Sequence, residues 1–298
     1  MKKLITTTLV TIVISLCFLA CGNTNTPPRI PLYQSMVQDI SMSASDIEVE
    51  YTLKDEFFYK TDVPDKTYSF NGKEYNMSYE SSNRSGLLAQ TRDTYRSTNG
   101  EKFIFREDTG ELVYHDVLSG NFFDNEKKLS DVDAPEDFAL DFSREIAQKY
   151  VDNIDDYEQK LDISSEFKDA SGQNVVLRTY DVKFTKKIQS YDTTDYVNIK
   201  ITSKGHFASL SIGSLGVFDD FDIEIDKERL DQSVSDKLAE LCKKHNYTLL
   251  SEERGYQRMH LVQNGDICIY TLVNISFLNS EGKEIKTAVC IETCVAKK

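Results

Sequence analysis

Cysteine, histidine and carboxylate are the side chains through which this 298-residue chain could do covalent or metal chemistry. Four thiols, Cys242, Cys268, Cys290 and Cys294, crowd its C-terminal part. Cys290 and Cys294 lie four residues apart in an alternating run, so in a strand they share a face but stand about 13 Å apart, too far to bridge each other. Cys268 falls on the face opposite Ile267, Ile269 and Val273, as Cys290 does relative to Val289 and Ile291. A cross-strand or helix-to-sheet disulfide among the four is one expectation, and buried free thiols are the other. A zinc site using His245 or His260 with these thiols lacks the Cys-x-x-Cys or His-x3-His spacing that would announce it, and no metal or cofactor is expected.

Other catalytic signatures are missing. The chain has no His-Glu-x-x-His, no Gly-x-Ser-x-Gly, no phosphate-binding glycine loop and no dinucleotide pattern. Two Ser-x-x-Lys matches, Ser165 to Lys168 and Ser280 to Lys283, sit at strand ends or turns, whereas an acylating serine needs its lysine one helical turn away. The expectation is that the protein is not an enzyme and has no catalytic or metal residues. Asp219, Asp220, Asp222, Glu224 and Asp226 alternate with Phe221, Ile223 and Ile225, which describes either a solvated edge strand or a cation site without its glycine turn. Tyr33, Tyr51, Tyr59, Tyr68, Tyr75 and Tyr79 fit strand packing or a sugar- or peptide-binding surface.

The N-terminus carries an address. Lys2 and Lys3 precede an uncharged run, Leu4 to Leu19, that is short for a membrane span, and Phe18-Leu19-Ala20-Cys21 closes it. This segment resembles a bacterial lipoprotein signal. The resemblance implies cleavage after Ala20 and a diacylglyceryl group on the Cys21 thiol, so the lipid on Cys21 would hold the chain on the extracytoplasmic face of the cell membrane. Gly22 to Pro31 is polar and proline-broken and reads as a tether, with residues 21–45 as the lipidated linker. Without Lys2 and Lys3, 33 basic residues face 49 acidic ones, a net charge of −16. That field disfavours nucleic acid and leaves an envelope protein, peptide or glycan as the partner class.

The remaining chain must position whatever function it has. Asn71-Gly72 and Asn99-Gly100 mark hairpins, and Asp108-Thr109-Gly110-Glu111 marks a third turn, so residues 46–130 predict an antiparallel β module. Asp133-Ala134-Pro135-Glu136 opens a helix running to about Asn153, with Phe138, Phe142, Ile146, Tyr150 and Ile154 on its apolar face. Strands over Tyr157 to Phe167, Val175 to Thr185, Val197 to Thr202 and Ala208 to Ile212 follow, with a loop at Asp192 to Asp195. Asp226 caps a second helix, Lys227 to about His245, with Leu230, Val234, Leu238, Leu241 and Cys242 on one side. Leu249 to Glu253, Tyr256 to Val262, Ile267 to Phe277 and Glu284 to Val295 complete a second round of the same order.

Tyr180-Asp181-Val182-Lys183-Phe184, the Tyr191 to Tyr196 segment, and Val197 to His206 together resemble the PepSY-type modules of Gram-positive lipoproteins, and Thr109-Gly110-Glu111 is similar to a turn those proteins carry. The resemblance covers residues 134–216 and, more faintly, 90–117. It implies a cystatin-like α+β shape and a binding or regulatory role outside the cell, with no catalytic residue. The expected fold class is therefore α+β: a signal peptide over 1–20, the tether, the β meander over 46–130, and two units over 131–220 and 221–298, each one helix on an antiparallel sheet of about four strands. The expected function is a membrane-anchored binding or regulatory module, with a structural role in envelope assembly as the alternative and, after it, an unrecognised extracytoplasmic enzyme.

Overall fold

The computed structural model describes residues 30–38, 55–85, 90–117, 134–164, 167–168, 174–175, 178–219, 224–262 and 265–297. Cys21, the signal segment before it, Ser165, Asp220 and Asp222 lie outside the described residues. Among those described, the strands are β1 (Ile30–Gln38), β2 (Glu56–Phe58), β3 (Lys66–Phe70), β4 (Lys73–Ser85), β5 (Gln90–Ser97), β6 (Lys102–Arg106) and β7 (Leu112–Asp116). Helix α1 (Glu136–Ala147), a short 3-10 turn at Ile154–Asp156, and β8 (Tyr157–Ser164), β9 (Phe167–Lys168), β10 (Asn174–Val175), β11 (Thr179–Ile188), β12 (Tyr191–Thr202) and β13 (Phe207–Ile212) follow. Helix α2 (Lys227–His245), β14 (Thr248–Leu261), β15 (Ile267–Leu278) and β16 (Glu284–Lys297) close the chain.

The expected pair of helix-on-sheet units is overturned. Fourteen strands form one mixed sheet in the order β1-β16-β15-β14-β12-β13-β7-β6-β5-β4-β2, with β11 on β12, β8 on β11 and β3 on β4. Three junctions make it continuous. β13 pairs antiparallel with β7, placing Leu210 opposite His115. β12 meets β14 in a two-residue parallel contact, Asp192 opposite Arg258 and Thr193 opposite Met259. β1, within the stretch read as tether, pairs with β16. Each junction satisfies backbone donors and acceptors that an open edge would leave to water, and backbone pairing leaves no mark in side-chain alternation.

The core crosses the boundary drawn at residue 130. Phe70, Tyr75, Met77, Phe103, Phe105 and Leu112 of the meander pack in the same cluster as Val182, Phe184, Ile199, Ile201 and Leu210, with Ala139, Ile146 and Ala147 of α1. A second cluster seats Val234, Leu238 and Leu241 of α2 on Val273, Ile275, Phe277, Val289 and Ile291.

Local chemistry places the elements well. Asn71 and Gly72 both have positive φ, as the β3–β4 turn requires. Asp226 accepts from the Arg229 amide at 3.0 Å to cap α2, whose buried face is Leu230, Val234, Leu238, Leu241 and Cys242. Helix α1 differs: it stops at Ala147 and buries Ala139, Ser143, Ile146 and Ala147, leaving Phe138 42% exposed against Phe142. Small residues lie nearest the sheet here, so the rings flank the contact instead of filling it. Asp192 to Asp195 is not a loop but part of β12, and the two runs at Leu249 and Tyr256 form the single β14, bulged between Arg254 and Gln257.

Candidate functional site: a cleft beneath the Thr109-Gly110-Glu111 turn

A cleft of about 550 Å³ lies where the β6–β7 turn, the end of α1 and the segment after β13 meet. Leu112, Val113, Ile212 and Leu215 give it apolar walls, and Tyr68, Tyr150, Arg106 and Lys149 bring polar groups to it. Its volume is within the range of small-ligand sites.

The turn holds its shape without help from outside. Gly110 has φ +71°, and its amide donates to the Arg106 carbonyl at 2.9 Å. The Thr109 hydroxyl donates to Glu111 at 2.9 Å, and the Thr109 amide donates to Asp108 at 2.9 Å. Arg106 donates to both oxygens of Asp108, at 3.0 and 2.7 Å, and lies 3.7 Å from Glu111. That pairing raises the Arg106 guanidinium above its usual value and holds the Asp108 carboxyl below its own. With Lys149 donating to Asn71 at 3.1 Å, the two cations at the rim are balanced by Asp108 and Glu111. With Asp108 counted through its bond to Arg106, the formal charges around the cleft sum to zero, in a protein that is acidic as a whole.

The floor and inner wall are set by two features. Gly213 admits no side chain, since a Cβ there would stand 2.0 Å from the Thr194 carbonyl and 2.7 Å from the Tyr196 ring. Tyr68 and Tyr150 are in hydrogen-bond contact, and burial raises both phenols, so they stay protonated and present hydroxyls. Leu215 sits beside a loop fastened by buried Asp195, which accepts from Tyr157 Oη at 2.7 Å and from the Gly216 amide at 2.9 Å. Burial raises the Asp195 carboxyl despite these bonds. The set offers hydroxyl and amide partners, an apolar wall and no net charge.

The thiols lie elsewhere. Cys242 is on α2 and faces the sheet from one side; Cys268, Cys290 and Cys294 occupy the alternate strand positions, on the other. All four are buried thiols, none of them in a disulfide in the structure. Cys268 stands opposite Cys294, whereas Cys290 stands opposite Leu272 and meets the Tyr270 hydroxyl. Burial raises Cys242 and pushes Cys290 up to about 12. His260, opposite Cys268 on β14, lies 3.6 Å from Glu292, and both side chains are buried. Among the described residues, no group of three or more His, Cys, Asp or Glu is arranged to hold a metal ion. His245 stacks on Tyr247 at the end of α2. Lys283 and Ser280 lie in the β15–β16 turn, and Lys168 is in β9.

Several consequential residues escaped the sequence. His115, boxed by aromatics and bonded to Glu101, and Asp195 carry no local motif. The Thr-Gly-Glu turn and Tyr68, read in the sequence as strand packing or a sugar- or peptide-binding surface, both lie at the cleft. Compared with protein-family models, curated proteins and solved structures, the chain matches none of them.

Proposed function

We propose that the protein is a lipid-anchored extracytoplasmic binding module whose cleft takes an uncharged segment of an envelope glycan or peptide. The neutral cleft carries this reading. Arg106 is already paired with Asp108 and Glu111 and Lys149 is hydrogen-bonded to neutral Asn71, so no uncompensated excess of charge invites an ionic ligand, while phenols, a threonine turn and an apolar wall suit hydroxyl- or amide-rich chains. The N-terminal segment supports the anchor, since a lipid on Cys21 retains a domain at the membrane without a spanning helix. Among the described residues no helix is long and apolar enough to cross a membrane.

Two measurements test the two halves. Replacing Cys21 by Ser is expected to move the chain from the membrane fraction to the soluble one; unchanged fractionation overturns the lipid anchor. Titrating the Cys21→Ser chain with N-acetylglucosamine oligomers and with an uncharged peptide, followed by amide NMR, is expected to shift Thr109, Gly110, Tyr150 and Gly213. Binding that shifts other regions and spares these refutes the cleft.

A further inference from the structure

We propose that Cys268 and Cys294 form an interstrand disulfide that closes the β15–β16 hairpin at the end remote from its turn. The two residues face each other in register. The Asn279 amide donates to the Lys283 carbonyl at 2.9 Å, which makes 279 and 283 a hydrogen-bonded pair. Hydrogen-bonded and non-hydrogen-bonded pairs alternate along an antiparallel ladder. From 279/283 to 268/294 the register is uninterrupted, so Cys268 and Cys294 occupy a non-hydrogen-bonded pair. Cα atoms at such pairs stand about 4.5 Å apart, inside the span of roughly 4.4 to 6.8 Å that a disulfide bridges. The side chains already pack together with Val262, and the Cys268 thiol is in hydrogen-bond contact with Cys294.

The other thiols cannot compete. Cys242 approaches from the α2 side of the sheet, and Cys290 sits four residues back along β16, opposite Leu272. The bond also has a consequential place: β16 receives β1, whose first residue is nine positions after Cys21. A bond from β16 to β15 braces the strand on which β1, the strand nearest the anchor, is paired.

The chemistry balances as thiol–disulfide exchange. One thiolate attacks the sulfur–sulfur bond of a disulfide oxidant, giving a mixed disulfide and one released thiol. The second Cys thiolate then attacks the Cys sulfur of that mixed disulfide and expels the other thiol. Two protons and two electrons leave the protein, and the oxidant is reduced to two thiols. Exchange needs a thiolate, and the contact with Cys294 together with burial raises the Cys268 thiol. The folded dithiol is therefore slow to react, and the bond forms while the hairpin is open, after which the sheet shields it.

The geometry is tested apart from the compartment. The Cys21→Ser chain without its signal segment is unfolded in urea and refolded in a mixture of reduced and oxidised glutathione. The expected product has lost two hydrogens by mass and shows two reactive thiols after denaturation instead of four. Digestion without reductant is expected to link the Cys268 and Cys294 peptides, and the urea midpoint rises relative to the reduced chain. The folded, reduced chain is expected to react with oxidised glutathione more slowly than the unfolded one. Four reactive thiols, a link through Cys242 or Cys290, or protection by stoichiometric zinc that a chelator releases each overturn the proposal. Cys290→Ala is expected to keep the link; should it fail to fold, the wild-type digest decides. The same digest on protein taken from cell membranes tests the extracytoplasmic location on which the bond's occurrence in the cell rests, so failure there alone leaves the geometry standing.

Discussion

His115 makes the stability of this protein depend on pH in a way that can be worked out from its surroundings. Its imidazole is fully buried, stacked on Phe103 at 4.0 Å and edged by Phe70, Tyr75 and Phe207 at 4.9 to 5.5 Å. Nε2 bonds Glu101 at 2.9 Å, and Nδ1 has no hydrogen-bond partner among the described residues. Burial lowers the His115 value, and the Glu101 bond only partly opposes it. Burial pushes the Glu101 carboxyl up, but hydrogen bonds from His115 and Lys73 outweigh this and hold it below the usual range. Both groups thus have folded values below their unfolded ones. His115 contributes stability that is complete above the unfolded histidine value, about 6.5, and is lost as pH falls from there through the depressed folded value. Glu101 adds a second loss, below about 4.3, as its own depressed value is crossed. Each pH unit in the histidine window costs up to about 1.4 kcal/mol, because unfolding takes up one proton. His115→Phe keeps an aromatic ring in the aromatic box and removes the proton, so its stability is expected to be flatter between pH 7 and 5. Urea midpoints of wild type and variant at pH 7, 6 and 5 measure this. Parallel slopes, or a variant that loses more than wild type on acidification, would refute the assignment. Glu101→Gln at pH 7 is expected to cost about 1.5 to 3 kcal/mol through the charge-assisted bond to His115. Lys73, with a side chain 54% exposed, adds under about 1 kcal/mol.

Other substitutions probe the cleft and its supports. Gly213→Ala drives a methyl into the Thr194 carbonyl and is expected to destabilise by about 1 to 3 kcal/mol in thermal unfolding. Tyr157→Phe leaves buried Asp195 with the Gly216 amide alone and is expected to cost about 1 to 3 kcal/mol, measured by urea midpoint. Asp226→Ala removes the α2 cap, for a loss of about 1 kcal/mol in the same assay. Tyr150→Phe removes a cleft hydroxyl and is expected to weaken glycan or peptide binding in calorimetry while the fold, read by circular dichroism, is unchanged.

Residue spacing settled the local elements. The Asn71-Gly72 hairpin, the Asp226 cap and the apolar stripe of α2 follow from backbone geometry and period, both of which are written in consecutive residues. It also placed Cys268, Cys290 and Cys294 on alternate strand positions. Which strands pair was not legible: β7 with β13, β12 with β14 and β1 with β16 join residues far apart in the chain through backbone groups common to every residue. The one-sheet architecture, the shared core of meander and middle segment, and the cleft between the Thr109-Gly110-Glu111 turn and α1 therefore belong to the tertiary structure. The same holds for the thiols: period two decides that Cys268 and Cys294 share a side of the sheet, but only the strand register sets one opposite the other.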